Sequence, residues 1–383
     1  MTDLLTPDHF RKHTDAMLAQ LKQLVEIESP STDKASVDLL AAALLPALTA
    51  LGAEITIDPQ TEVGDNVVAP WPAPSGATEG GILMMCHLDT VFPLGTLARQ
   101  PWRIDGPKAF GPGTIDMKSS IVMALTALAE LRAGGRWPGR PLTLLLTSDE
   151  EIGSAGSRAL IESQARAHAL TLCLEPCLPD GSLKTARKGI GEIELVVRGR
   201  ASHAGTNHAE GRNAIHELAH HILAAQALTD YPRGTTVNVG VVSGGTRSNV
   251  VPEEARASID YRVPDMSEAE RLAAWTADLK PVLPDLTLDV QGGLNRPPMP
   301  RDALMAETFA QAQAIAARIG LTVGEGSTGG GSDANFVAPL GVPVLDGLGA
   351  SGNGAHSERE HVVIASLAER TALLASLLTG WAV

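Results

Sequence analysis

At 383 residues the chain is longer than a single hydrophobic core usually grows, so two domains are expected. Its 44% hydrophobic residues suffice for substantial cores, yet the longest apolar stretch, LLAAALLPALTALG, is too short to cross a bilayer and contains Pro46. A formal net charge of −14 and 3% aromatic residues exclude a nucleic-acid partner, which needs a basic face and stacking rings.

In chain order, the opening MTDLLTPDHFRK carries acids and no continuous apolar run, so it does not read as a secretory signal. Thr6-Pro7-Asp8 predicts a capped helix with proline at its start, continued by Met17, Leu21, Leu24 and Val25 at helical spacing. A second helix is expected from about Ser31 to Leu51, stopped by Gly52. Uniformly apolar runs then alternate with helical segments: GILMMC (81–86), a helix near 119–133, LTLLLT (142–147), a helix near 155–167, and LTLCL (170–174). Strands apolar on both faces belong to parallel sheets covered by helices, so this part reads as α/β.

From about Gly189 the texture changes. GEIELVVRG alternates charged and apolar residues; a helix near 211–228, TTVNVGVVSGG, EEARASIDYRV, a helix near 267–280 and LTLDVQGG follow. That order, β-α-β-β-α-β, is the ferredoxin-like split unit with one solvated sheet face. After RPPMP the α/β texture resumes with a helix near 303–318, the strand-like PVLDGLG and a last helix near 364–379. The expected architecture is one discontinuous α/β domain, 1–188 and 299–383, with helices on both faces of a mostly parallel sheet, and an inserted α+β domain at 189–298. Cys86, Cys173 and Cys177 are too few for a disulfide framework and read as reduced packing residues of a soluble cytoplasmic protein.

Three apolar runs end in side chains able to bind metal: His87-Leu88-Asp89, Asp149-Glu150-Glu151 and Glu175-Pro176. In an open α/β sheet the carboxyl ends of parallel strands converge on one edge, where ligands bind. So many carboxylates would repel one another unless a cation lay among them. Oxygen and imidazole ligands without thiolate suit Zn²⁺, and less selectively Co²⁺ or Mn²⁺. His87 and Asp89, two apart on a strand, share a face, so Asp89 is expected to accept the imidazole's second N–H. Asp116 in GPGTIDMKSS and His356 in GNGAHSERE lie in glycine-rich loops and complete a set of His87, Asp116, Glu151, Glu175 and His356. That set suffices for two ions about 3.5–4 Å apart, leaving Glu150 as the natural general base. Each residue alone reads as easily as a cap, a turn or a strand end; their joint placement is what points to a metal centre. His13, His168, His216, His220, His221 and His361 lack such a setting and read as surface or core residues.

Taken in order, CHLDTVFP, GPGTIDMKSS, TSDEEIGS, CLEP, ASHAG, SNVVP, DYR, NRP, GGGSDAN and GAHSE resemble the M20 family of zinc peptidases and amidohydrolases, and most of all its glutamate carboxypeptidase (carboxypeptidase G2-like) branch. The resemblance implies a catalytic domain with two zinc ions per subunit and an inserted lid through which two subunits form a homodimer. It implies that Asp116 bridges the metals, with His87 and Glu175 on one and Glu151 and His356 on the other. Glu150 would be the general base, and Asp89 would orient His87. His203 would reach the partner's site to stabilise an oxyanion; Asn249, Arg262 and Arg296 would hold the substrate's carboxylate end. The loop Gly329–Asn335, with Gly330, would line the substrate. A cis peptide after Asp116 is implied as well. Two departures stand out: Met117-Lys118-Ser119-Ser120 follows Asp116 where many relatives have Asp-Lys-Gly-Gly, and His208 replaces a usual proline.

The expected reaction is hydrolysis of an amide or peptide bond by a metal-bridging hydroxide, releasing a C-terminal amino acid of glutamate type from a peptide or N-acyl amino acid with a free carboxylate. An N-acyl-amino-acid deacylase or dipeptidase on the same scaffold is the alternative. An aminopeptidase fits the lid's arginines less well. A metal-loaded binding protein without activity is disfavoured because Glu150 and the full ligand set are present.

Overall fold

The computed structural model describes residues 5–382. They form two compact units: one takes the chain up to Ala186, Arg301–Ser327 and everything from Ser332, the other Arg187–Pro300 with Thr328–Gly331. Each closes its own hydrophobic core, the first around residues such as Leu21, Met84, Leu144 and Leu374, the second around Leu195, Ile259 and Leu272. The expected boundaries at 188/189 and 298/299 differ from this partition by two residues at each end. The segment 328–331, expected with the first unit, instead sits with the second, where Arg187 Nη1 donates to the carbonyls of Gly330 and Gly331 at 3.1 and 2.8 Å.

The first unit is built on a six-stranded sheet ordered Thr56–Asp58, Asn66–Trp71, Leu142–Thr147, Ile82–His87, Leu170–Cys173 and Val344–Leu345. The last four are mutually parallel, and the first two add an antiparallel edge. Ile82–His87, Leu142–Thr147 and Leu170–Cys173 are buried along their full length, which is why they read as unbroken apolar runs. Helix Ser119–Ala133 has almost every residue through Leu128 buried and packs against Thr14–Val25 and Ile364–Gly380.

The N-terminal helix expected as one piece is two, Pro7–Arg11 and Thr14–Val25, and the Thr6 hydroxyl makes no capping bond. Helix Lys34–Ala50 starts under Asp33, whose side chain accepts from Ser36 N, and carries Pro46 inside. Short strands the sequence did not signal, such as Lys108–Phe110 and His361–Val363, pair in a separate four-stranded sheet. Three residues are too few for a hydrophobic period to show.

In the second unit Thr236–Gly244, Glu254–Val263, Gly189–Arg198 and Thr287–Arg296 form an antiparallel sheet in that order, with Ala214–Gln226 and Met266–Asp278 packed on it. This is the β-α-β-β-α-β unit. Ala255, Ala257, Ile259, Tyr261 and Val263 alternate inward, while Arg256, Ser258, Asp260 and Arg262 point the other way.

Candidate metal centre

The parallel strands carry their C-terminal ends to one edge of the first unit's sheet. His87 closes Ile82–His87 opposite Thr147, Asp149-Glu150-Glu151 follow Leu142–Thr147, and Glu175 follows Leu170–Cys173. Asp116 arrives from the turn Thr114–Lys118 that feeds helix Ser119–Ala133, and its peptide bond to Met117 is cis. His356 sits in the loop after Gly352–Asn353 with φ at +62°, a left-handed conformation uncommon for residues other than glycine.

These residues form two triads, His87–Asp116–Glu175 and Asp116–Glu151–His356, each with its ligand atoms within 4.8 Å of one another. Asp116 belongs to both. His87 Nε2 lies 3.0 Å from Asp116 Oδ1 and 3.6 Å from Glu175 Oε1, while His356 Nε2 lies 3.4 Å from Asp116 Oδ2 and 3.0 Å from Glu151 Oε2. Two imidazoles and two further carboxylates converge around one shared carboxylate.

The electrostatics are those of a site short of positive charge. Burial opposes the charged form of Asp116, yet hydrogen bonds from His356 and His87 hold it well below the usual carboxylate range. The bond to Asp116, then that to Glu151, pushes His356 up to about 11. For His87, burial is outweighed by the hydrogen bonds to Asp116 and Asp89, and the group is raised. Burial raises Glu151. Protons are thus drawn into the cluster wherever a cation is lacking. Glu151 Oε1 is buried and has no hydrogen-bond partner among the described residues. An ionised oxygen buried without a donor is costly, and a divalent cation is the group that would satisfy it. The donor set fits such an ion.

The acidic turn is organised from beneath. Asp89, fully buried, accepts from Glu150 N at 3.2 Å, Glu151 N at 3.1 Å and Ser31 Oγ at 2.7 Å. Its expected bond to the imidazole takes a different form: His87 Nδ1 is 2.9 Å from the main-chain oxygen of Asp89 and 3.4 Å from Oδ1. The carboxylate is spent on holding the turn, and the backbone carbonyl fixes the ring. Asp149 accepts from Gly156 N and Ser157 Oγ at 2.6 and 2.5 Å, so the first acid of the three closes the turn. Glu150 stands beside Glu151 on the short helical turn Glu150–Ile152, outside both triads.

Sequence reasoning missed two supports. Asp333 accepts from Thr147 Oγ1 and Ser154 Oγ at 3.1 and 2.5 Å, behind the acidic turn. Glu360, fully buried, accepts from Gly113 N (3.0 Å), Ile115 N (2.9 Å) and Asp116 N (3.1 Å), gripping the loop that presents Asp116. Nothing local in GAHSERE marks it, because its partners lie 244 to 247 residues away in the chain.

The remaining predicted residues lie in the second unit. His203 is exposed, and its Nδ1 accepts from Gly205 N and Thr206 N at 3.0 and 3.1 Å, so a neutral ring carries its proton on Nε2. Asn249 is exposed, and its carbonyl accepts from Ala204 N. Arg262 is engaged within the unit: Nε and Nη2 fork onto Asp260 at 2.8–3.1 Å, and Nη1 is 3.4 Å from Gly329 O. Arg296 is buried beside Gly331, where a Cβ would fall 2.8 Å from its Cδ. Gly330 is exposed and held by Arg187, another residue the sequence did not single out. His208 is exposed on the turn His208–Glu210.

Residues 83–380 match the model of peptidase family M20/M25/M40. The chain is 32% identical over 380 residues to carboxypeptidase G2 of Pseudomonas sp. (strain RS-16), covering 96% of this chain and 91% of that protein. It is 32% identical over 309 residues to succinyl-diaminopimelate desuccinylase of Verminephrobacter eiseniae, 75% of each chain. Among solved structures, aminopeptidase PepT from Bacillus cereus superposes with a TM-score of 0.76 at 22% identity, over 96% of this chain and 98% of that one.

Proposed function

Because the chain belongs to peptidase family M20/M25/M40, and is therefore a metallopeptidase-type hydrolase, we propose that it releases a C-terminal amino acid of glutamate type by cleaving a peptide or N-acyl bond. The observation that carries this reading is the pair of triads sharing Asp116, with Glu151 Oε1 buried and unsatisfied. His87 and Glu175 would hold one Zn²⁺, Glu151 and His356 the other, and Asp116 both; Co²⁺ or Mn²⁺ fit the same donors less selectively. Bound there, such ions would lower a water's pKa and polarise the scissile carbonyl.

The protein's own groups do the rest. Glu150, on a turn pinned by Asp89, takes the proton of the attacking water and delivers it to the departing amine. His203, its Nδ1 occupied by two backbone N–H groups, keeps Nε2–H to donate to the developing oxyanion. Since it lies on the lid, it would serve the site of a second copy. Thr236–Gly244 supports that arrangement: it is a sheet edge with Val241 and Val242 exposed at 62% and 54%, an edge another strand could cover. Asn249, Arg262, Arg296 and Gly330 would receive the substrate's carboxylate end. We propose that it works in the cytoplasm, where its buried free cysteines stay reduced. Among the described residues no helix is long and apolar enough to cross a membrane.

The decisive variant is Glu150→Gln. It should bind metal as the parent does and lose about 10²- to 10⁴-fold in kcat; normal metal content with normal turnover would overturn the assignment. A second reading, N-acyl-amino-acid deacylation, draws support from the desuccinylase similarity. N-acyl glutamates, other N-acyl amino acids and dipeptides assayed on metal-reconstituted protein separate the two.

A further inference from the structure

A second cluster of metal-binding side chains lies in the first unit, away from every residue of the dinuclear set. His9, on helix Pro7–Arg11, and His13, just before helix Thr14–Val25, both turn toward Glu130 on helix Ser119–Ala133. Their Nε2 atoms are 2.7 and 3.5 Å from the same oxygen, Glu130 Oε2, and the three ligand atoms fall within 4.8 Å of one another. The side chains are 32%, 31% and 21% exposed, open enough for an ion to enter and sheltered enough to hold it.

The placement of Glu130 is the telling feature. A carboxylate in the last turn of a helix meets the negative end of the helix dipole and calls for a positive neighbour. Among the described residues no lysine or arginine pairs with it; its partners are the two imidazoles. The histidines are fixed independently of it. Phe10 between them is fully buried, His9 N donates to Thr6 O, and His13 N to Phe10 O. Neighbouring Arg11 is engaged by Asp8.

We propose that His9, His13 and Glu130 form a third metal site, for Zn²⁺, Ni²⁺ or Cu²⁺, that fastens the two N-terminal helices to helix Ser119–Ala133. Two imidazole nitrogens and one carboxylate oxygen with a position left for water are ligands these ions favour. Ligand atoms about 2.0–2.2 Å from a tetrahedral ion stand roughly 3.3–3.6 Å apart. The His13–Glu130 separation of 3.5 Å already meets this, and the His9–Glu130 contact of 2.7 Å opens as the ion replaces the proton. The helix so fastened begins three residues after Asp116.

Chelator-treated full-length protein titrated with Zn²⁺ alone tests this by calorimetry and by metal analysis. The double variant His9→Asn/His13→Asn should bind one ion fewer per chain than the parent, with unchanged turnover at saturating Zn²⁺. The count falls by one whether or not the dinuclear assignment holds. Glu130→Gln, which keeps both imidazoles, should weaken the same ion at least about tenfold. A Cu²⁺ spectrum of the parent should show nitrogen ligation lost in the double variant. Equal stoichiometry and affinity in the parent and a folded double variant would overturn the proposal.

Discussion

Glu360 shows how much of the centre depends on a residue that touches no ligand atom. Its two oxygens satisfy three N–H groups of one loop, those of Gly113, Ile115 and Asp116, so the backbone that presents the shared carboxylate hangs from one buried side chain. Glu360→Gln puts an amide NH₂ where an acceptor is needed, leaving at least one buried N–H without a partner. Supporting partners of this kind typically contribute 10- to 100-fold in metal affinity. The variant should therefore lose roughly that factor in metal binding and melt at a lower temperature, as calorimetric titration and thermal unfolding would show. Unchanged affinity would mean that the loop keeps its shape unaided. The clustering of the triad residues was legible because each ends an apolar run or sits in a glycine-rich loop, as with His87, Glu151 and Glu175. Glu360 was not, since a hydrogen bond spanning 244 residues leaves no local pattern. Asp89 was half legible: its place beneath His87 followed from strand geometry, but its grip on the backbone of Glu150 and Glu151 did not.

At the scale of elements, what was legible depended on length. Ser119–Ala133, Ala303–Arg318 and the strands of the second unit carried enough residues for a pattern to show, whereas Lys108–Phe110 and Glu325–Thr328 did not. Helix Met266–Asp278 shows how a single side chain can tie an element to its surroundings. Glu268 in its first turn accepts from Arg271, Thr235 and Arg233, and these bonds hold its carboxyl down at about 2. A carboxyl lower in the folded than in the unfolded state stabilises the fold above the unfolded value, about 4.5, and that contribution fades as pH falls toward 2. Glu268→Gln should thus be less stable than the parent at pH 7, with the gap closing between pH 4.5 and 2 in denaturant unfolding. A gap constant across that range would assign the effect to packing. The proposed pairing through edge strand Thr236–Gly244 makes its own prediction: the parent should sediment as a dimer and Val241→Lys should shift toward the monomer, and a variant still fully dimeric would place the interface elsewhere.

At the scale of the molecule, the insertion was legible as a change of period at Gly189, from unbroken apolar runs to strict alternation, because a sheet covered on one face must alternate. The return of 328–331 to the second unit was not, since four residues of glycine-rich loop carry no period at all. Two separate cores and a metal centre drawn from one of them have a thermodynamic consequence. An ion that binds only the folded state stabilises it by about 4 kcal/mol at a thousandfold excess over its Kd. Its removal also leaves Asp116, Glu151 and Glu175 facing one another with only imidazolium protons to shield them. The loss should be local. In chelator, hydrogen exchange should quicken in Ile82–His87, Leu142–Thr147 and the turn Thr114–Lys118, while Gly189–Arg198 and Glu254–Val263 keep their protection. Equal loss in both units would mean that the chain unfolds as one body; no loss in either would mean that the triads hold no ion that matters to the fold.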